Sequence, residues 1–467
     1  VSDEFDVVVI GAGPPGENAA GRAREHGLTA AIVEERLVGG ECSFYGCVPS
    51  KTLIRPGDVL AAARRVPGAA EAITGRLDVA AALAQRDYMT SDWSDRTQTP
   101  WLDSVGITLY RGHGRLAGER SVAVEMKDGS GVRTVTARKA VVVSCGTDPF
   151  LPPIDGLSDA KPWNNQDATA VKEIPRRFLV LGGGPIGTEL AQVFRRLGSE
   201  EVTIVEGQPR LLSREEPFAG EQVAKAFEAE GIAVVLGAKV VAVRREPPDG
   251  PVTATLDGGE QVQADEILVA VGRRPRTNDI GLEMVGLEEL RGKYLAVDER
   301  LRVRGTGGDW LYAVGDVNGL ALLTHMGKYQ GRLFGDIVAG KDVVDIADHG
   351  IIPRVTFTDP QVAAVGLTEA DARTEGIDAR VVTTPTGGVA GAYTRGNGIE
   401  GTCQIVIDVA RRVIVGATFT GPDVQEIVHA ATIAIAGKVT LDALWHAVPS
   451  FPTVSEVWLR LLETYGI

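Results

Sequence analysis

The apolar positions near the N-terminus predict a compact αβ unit. Phe5-Asp-Val-Val-Val-Ile10 is short, β-branched and apolar on both faces, which predicts a buried parallel strand. Gly11-Ala-Gly13-Pro-Pro-Gly16 follows at once. A helical segment, Glu17 to His26, then stops at Gly27, and a second strand, Thr29 to Val33, ends in Glu34. The same order returns later: strand Arg177 to Leu181, Gly182-Gly-Gly184-Pro-Ile-Gly187, helix Thr188 to Leu197, Gly198, and strand Val202 to Val205 ending in Glu206. The leading glycine precedes the acid by 23 positions in the first unit and 24 in the second, and the units begin 171 residues apart. Such a repeat predicts two separate dinucleotide-type domains.

Further along, Arg138 to Ser144 reads as a strand and Pro149 to Pro153 as a joint. The strand Glu266 to Val271 runs into Gly272-Arg-Arg-Pro275, and the strand Leu311 to Val314 delivers Gly315-Asp316. After about residue 346 the alternation is more open, with strands Thr402 to Ile407 and Arg412 to Phe419 and helices near Val424 to Ala436 and Val454 to Tyr465.

Composition narrows the function. The 467 residues suit about three domains. The 48 basic and 62 acidic side chains leave a net charge of −14, which repels phosphate backbones and anionic lipid, so neither nucleic acid nor a membrane is an expected partner. No apolar run reaches the roughly 18 residues of a membrane-spanning helix. Val1-Ser-Asp-Glu4 leads almost directly into the first strand without a basic, apolar leader, so the expected location is cytoplasmic. Four cysteines are too few for a secreted disulfide scaffold.

Each glycine turn has a chemical reading. Gly11 and Gly182 permit the tight turn, Gly13 and Gly184 let backbone amides approach a pyrophosphate, and Gly16 and Gly187 let helix and strand pack closely. Glu34 and Glu206 sit where an acid accepts hydrogen bonds from a ribose diol. Glu206 repels a 2′-phosphate and so favours NADH over NADPH, with Arg210 near enough to oppose that preference. Just past the first unit lies Gly39-Gly-Glu-Cys42-Ser-Phe-Tyr-Gly-Cys47-Val-Pro-Ser-Lys51. Two cysteines five apart can close a small disulfide loop, form half a zinc site, or stay inert. Cys145 and Cys403 are isolated and no His-x₃₋₅-His pair exists, so no metal site is assigned; these two cysteines read as small core residues.

This pattern, GGxCxxxxCxPSK after an N-terminal dinucleotide unit, resembles the group I flavoprotein pyridine nucleotide-disulfide oxidoreductases, a family that includes dihydrolipoamide dehydrogenase, glutathione reductase, mercuric reductase and soluble transhydrogenase. Val271-Gly-Arg-Arg-Pro-Arg-Thr-Asn278, Tyr312-Ala-Val-Gly-Asp316 and Pro353 to Gly366 are similar to later family signatures, in family order. The resemblance implies an α/β fold of two Rossmann-like dinucleotide-binding domains and a C-terminal α+β interface domain. Residues 1–150 and 276–345 would bind FAD, 151–275 NAD(P), and 346–467 would pair two subunits in a homodimer. It implies hydride transfer from NAD(P)H through FAD to a redox-active Cys42–Cys47 disulfide, then to a small-molecule or protein acceptor. By family role, Asp316 contacts the flavin ribityl chain, Gly114 lies near the flavin nucleotide, and Gly272 belongs to the nucleotide-domain exit. Cys47 is the charge-transfer thiolate and Cys42 the interchange thiol. Lys51 and Glu189 form an ion pair near flavin N5, where a cation stabilises reduced flavin.

The pattern breaks near the C-terminus. Dihydrolipoamide dehydrogenase and glutathione reductase carry a His-Pro-Thr-x-x-Glu segment whose histidine is the base. Aligned on Pro-Thr-x-x-Glu, the base position here is Phe451; aligned on His446-Ala, the second family histidine becomes Val448 and Glu456 falls out of register. Phe cannot transfer a proton, a step worth about 10²–10⁴-fold with thiol substrates. His446 remains the candidate base if Pro449 and Pro452 bulge the loop, and Glu456 keeps the family position. Quinone reduction or nicotinamide transhydrogenation directly from flavin is therefore one alternative, a mercuric-reductase-like metal reductase another, and a non-catalytic flavin-fold subunit a third. Residues Glu463 to Ile467 lack the cysteine pair of mercuric reductases. His325 reads as structural or flavin-contacting, and His26, His113, His349 and His429 as surface or packing residues.

Overall fold

The computed structural model describes residues 3–347 and 350–467. The readings of Val1, Ser2 and His349 fall outside the described residues. The chain forms two compact units. One is drawn from Val1–Pro49, Asp87–Phe150 and Gly272–Asp348, the other from Ser50–Arg86, Leu151–Val271 and His349–Ile467.

The first unit is built on strand Glu4–Ile10, whose Val7, Val8 and Val9 are fully buried. It pairs in parallel with Ala30–Glu34 on one side and Val132–Val143 on the other, and Leu311–Ala313 extends the sheet beyond Val132–Val143. Two long strands serve double duty. Ile107–Gly118 lies beside Ala30–Glu34 through Arg111 and then pairs with Ser121–Met126; Val132–Val143 leaves that antiparallel hairpin to join the parallel sheet. Helix Pro14–Glu25 turns Ala19, Ala20 and Ala23 inward and packs on helix Thr324–Val338. That contact is close because Gly327, Gly331 and Gly335 line it: a Cβ at any of them would lie 2.4–2.5 Å from Pro15 or Arg22.

The second unit holds a parallel sheet in the order Glu266–Val269, Arg177–Leu181, Glu201–Glu206, Ile232–Leu236, with helices Pro185–Leu197 and Pro217–Ala229. Phe178 and Phe194 stack at 4.3 Å in its core, joined by Leu53 from helix Cys47–Arg64. A five-stranded antiparallel sheet, Arg354–Thr356, Gln361–Gly366, Val413–Gly421, Thr402–Asp408, Ala379–Pro385, carries helices Val424–Ala436 and Val457–Tyr465. The fold is the expected α/β class with its C-terminal α+β part.

The expected elements differ from the observed ones mainly at helix starts. The helices read from Glu17 and Thr188 begin at Pro14 and Pro185. Proline is favoured in a first turn because its missing N–H has no helical partner there. The helix expected over Val454 to Tyr465 is a 3₁₀ turn, Val454–Glu456, followed by the α-helix Val457–Tyr465.

Arg86, in helix Val79–Met89, is fully buried; its guanidinium donates to the carbonyls of Thr169 at 2.6 Å and Val171 at 2.8 Å. Arg86→Met removes both bonds, each loss costing about 1–3 kcal/mol. The expected result is a urea midpoint lowered by that destabilisation with little change in slope; an unchanged midpoint would show the bonds to be dispensable.

Candidate functional site

Both glycine turns are shaped by backbone approach. A Cβ at Gly16 would lie 2.1 Å from the Gly11 carbonyl oxygen, and one at Gly187 1.9 Å from that of Gly182. Gly11 and Gly182 also adopt φ of +104° and +107°. No side chain is tolerated at these positions without backbone movement. Gly13 and Gly184 differ: they are extended N-caps, with φ of −72° and −78°, and a Cβ would meet only Pro15 Cδ at 3.7 Å at Gly13 and nothing at Gly184. Each turn therefore offers an uncrowded amide surface at a helix N-terminus, suited to phosphate.

The two acids are braced alike. Glu34 accepts from the amides of Ala12 and Arg36, both at 2.7 Å. Glu206 accepts from Gly183 at 2.5 Å and Gln208 at 2.7 Å. Burial lifts the Glu34 carboxyl above its ordinary range while the amides pull it back. Gly114 lies where a Cβ would meet Val33 at 2.9 Å, and Gly272, at φ +140°, faces open space. Ser144 Oγ is buried beside the first turn without a hydrogen-bond partner. Asp316 is held up by burial, pulled down by the Arg273 charge, and accepts from Thr147 Oγ1 at 3.0 Å. Glu17, which sequence reasoning missed, has its carboxyl pushed up to about 7 by burial, with Lys328 opposing and Glu34 adding to the rise.

The cysteines lie on short helical pieces: Cys42 within Gly40–Phe44, Cys47 at the start of Cys47–Arg64. Their thiols are hydrogen-bonded to each other. That bond, then burial, drives the Cys42 thiol far above its usual range. Thr324 Oγ1 lies 3.4 Å from Cys47 Sγ and also bonds Cys42. The segment is fastened to the first glycine turn: Gly39 N donates to Ala12 O at 2.8 Å, and a Cβ at Gly40 would lie 2.7 Å from Gly13 Cα. Its interior is pinned by buried Phe44, whose carbonyl accepts from Trp93 Nε1 at 3.1 Å.

In the second unit Lys51 Nζ lies 2.5 Å from Glu189 Oε2, and Glu189 Oε1 accepts from Phe357 N at 2.9 Å. Lys51 Nζ also sits 4.6 Å from the centre of the Phe357 ring. At the C-terminal end, Val448 is 85% and Phe451 75% exposed, and His446 is exposed at the end of helix Leu441–Trp445. Glu456 is turned inward: Oε1 accepts from Arg460 at 2.8 Å, and Oε2 is buried without a partner. No hydrogen bond joins Glu456 to His446 among the described residues.

The remaining histidines and cysteines are spread out. His26 pairs with Asp336 at 2.6 Å, His113 bridges Glu35 and the Asp279 carbonyl, and His429 and His325 are exposed. Cys403 is buried; Cys145 Sγ donates to Arg276 O. Among the described residues no cluster of ligating side chains could hold a metal, and no helix is long and apolar enough to cross a membrane.

Two open glycine cradles, their braced acids, a bonded thiol pair and a C-terminal antiparallel sheet define a nucleotide-dependent dithiol class of protein. The model of the pyridine nucleotide-disulphide oxidoreductases matches residues 5–331, and that of their dimerisation domain residues 352–461. The chain is 32% identical over 454 residues to a dihydrolipoyl dehydrogenase of Mycobacterium tuberculosis, covering 97% of this chain and 96% of that one. It is 29% identical to a mercuric reductase of Lysinibacillus sphaericus, covering 97% and 81%. The crystal structure of LpdA from M. tuberculosis superposes with a TM-score of 0.87 over the full length of both chains at 26% identity. The disulfide reductase RclA from Escherichia coli, at 24% identity, shares the fold with a TM-score of 0.86 over 98% of this chain and 99% of that one. The chain belongs to the pyridine nucleotide-disulphide oxidoreductase family, an FAD-dependent oxidoreductase family that uses NAD(P)H. The first turn, the orphan Ser144 hydroxyl and buried Asp316 fit a flavin dinucleotide; the second turn fits a nicotinamide dinucleotide.

Glu189 is 6% exposed and Lys51 36%. Lys51→Met leaves the carboxylate buried with the Phe357 amide and no counter-ion. The expected destabilisation is about 2–4 kcal/mol, below a fully buried pair because Lys51 is partly solvated. Chemical denaturation measures it, and wild-type stability in the variant would refute the pairing as a structural element.

Proposed function

We propose that the chain passes reducing equivalents from NAD(P)H to the Cys42–Cys47 pair and on to an acceptor that needs no protein base. The observation that carries this reading is the thiol pair itself, hydrogen-bonded and fastened to the first glycine turn. FAD, when bound, accepts a hydride and hands electrons to sulfur. Residues 1–150 and 276–345 hold it, with Gly11, Gly13 and Gly16 at the phosphates, Glu34 on the ribose, Gly114 by the nucleotide and Asp316 on the ribityl chain. Residues 151–275 hold the nicotinamide dinucleotide through Gly182, Gly184, Gly187 and Glu206, with Gly272 at the domain's exit. Arg210 is committed to the carbonyls of Ser213 and Glu215, which supports NADH over NADPH.

Lys51, oriented by Glu189, supplies positive charge to the flavin. Cys47 holds the thiolate that faces the cofactor, and Thr324 can donate to it. Cys42 meets the acceptor. Residues 346–467 pair two subunits; the dimerisation-domain match and exposed Trp445, Val448 and Phe451 support a homodimer, for which a cytoplasmic location is proposed.

Phe451 at the base position, with Glu456 bound to Arg460 rather than to a histidine, points away from dithiol substrates and from His446 as a base. The same observation favours a second reading, direct reduction of a quinone or a second nicotinamide from the flavin.

Anaerobic reduction with NADH or NADPH, followed by alkylation, counts the thiols. Two additional labelled thiols are expected, and none in Cys42→Ser. Reoxidation is then followed with lipoamide, a low-molecular-weight disulfide, a quinone and a metal ion. Phe451→His should raise turnover with a dithiol or disulfide substrate by up to about 10²-fold and leave quinone turnover unchanged. Full quinone turnover in Cys42→Ser selects the second reading; no new thiols in wild type overturns the first.

A further inference from the structure

Glu41 fills an unspecified position of the cysteine motif, directly before Cys42, yet its carboxylate is not simply solvated. Glu41 Oε2 lies 2.7 Å from Arg273 Nη2, and the two side chains are 26% and 14% exposed. The same guanidinium donates through Nε to Thr147 Oγ1 at 2.6 Å and through Nη2 to the Thr147 carbonyl at 2.9 Å. Thr147 Oγ1 passes the direction on, donating to Asp316 Oδ2 at 3.0 Å. Helix Gly40–Phe44, strand Arg273–Pro275, strand Thr147–Pro149 and the turn Asp316–Asn318 are thereby strung on one polar chain.

We propose that Glu41 is a positioning residue of the cofactor site: it shares Arg273 as counter-ion with Asp316, so that the segment bearing Cys42 and the flavin-facing carboxylate are held as one charge-balanced unit. This rests on the reading of Asp316 given above. The charged groups acting on Asp316 are Arg273, which favours its ionised form, and Glu41, which opposes it. The hydroxyl facing it is that of Thr147, and the Tyr294 hydroxyl donates to the Arg273 carbonyl. One guanidinium divided between two carboxylates holds each less firmly than it would hold either alone. Removing Glu41's charge therefore strengthens Arg273 on Asp316. Removing Arg273 leaves two carboxylates without their cation.

The opposite signs separate tuning from scaffolding. Ionised Asp316 is the better acceptor for a ribityl hydroxyl, so flavin retention should fall as pH drops through its ionisation. FAD-loaded wild type, Glu41→Gln, Glu41→Asp, Arg273→Met and Asp316→Asn are dialysed across a pH series, and released flavin is read by fluorescence. Glu41→Gln should move the retention midpoint down by about one pH unit, Arg273→Met up by about as much, and Glu41→Asp should restore the wild-type midpoint. Asp316→Asn should abolish the step. If that step vanishes in Asp316→Asn but Glu41→Gln and Arg273→Met shift together or not at all, Glu41 has no such role while Asp316 keeps its own. If the step persists in Asp316→Asn, both assignments fall.

Discussion

The close backbone approach of Gly40 to Gly13 is the constraint on which the first unit's chemistry depends. A side chain at Gly40 would put its Cβ 2.7 Å from Gly13 Cα, and the neighbouring Gly39 amide is bonded to Ala12. The glycine turn thus does two jobs. One edge is the one proposed to take phosphate, and the other is the anchor for the helical piece that carries Cys42. A redox pair must lie at a fixed, short distance from the group it exchanges electrons with, and backbone contact fixes position better than any flexible side chain.

The second glycine turn has the same internal geometry and the same acid brace, but the segment bonded to it carries no cysteine. Gly183 packs instead against Leu211 and Glu206, and Leu212 N donates to Gly183 O. One duplicated supersecondary unit has therefore been put to two uses. Burial then opposes charge in the first unit: Glu34, Asp316 and Glu17 are all lifted by desolvation, and amides, Arg273 or Lys328 pull them back. A carboxylate surrounded in this way is sensitive to each neighbouring charge.

Much of this was legible in the residues. Both βαβ units show in the run from apolar strand through glycine turn to acid, because buried parallel strands need both faces apolar and the turn needs glycine. The strand Arg177–Leu181 and helix Val424–Ala436 have the expected bounds, since patterning is strong there. Helix Thr324–Val338 is not legible in the sequence, because glycines at 327, 331 and 335 lower helix propensity and only packing against Pro15 and Arg22 explains them. The roles of Glu17, Glu41, Thr324 and Arg86 are equally hidden in the sequence. Their partners lie far away in sequence or in carbonyls, where no local spacing points to them. The motif around Arg273 was visible, but its bond to Glu41 was not.

In the proposed function the two glycine turns hold different dinucleotides, with the flavin one fastened to the dithiol segment. Titration calorimetry of NADH into FAD-loaded protein tests it most directly when wild type is compared with Gly187→Val, whose Cβ would strike the Gly182 carbonyl. One NADH site per chain is expected in wild type and none in the variant, which keeps its flavin. Loss of flavin with NADH binding intact in Gly187→Val would contradict it.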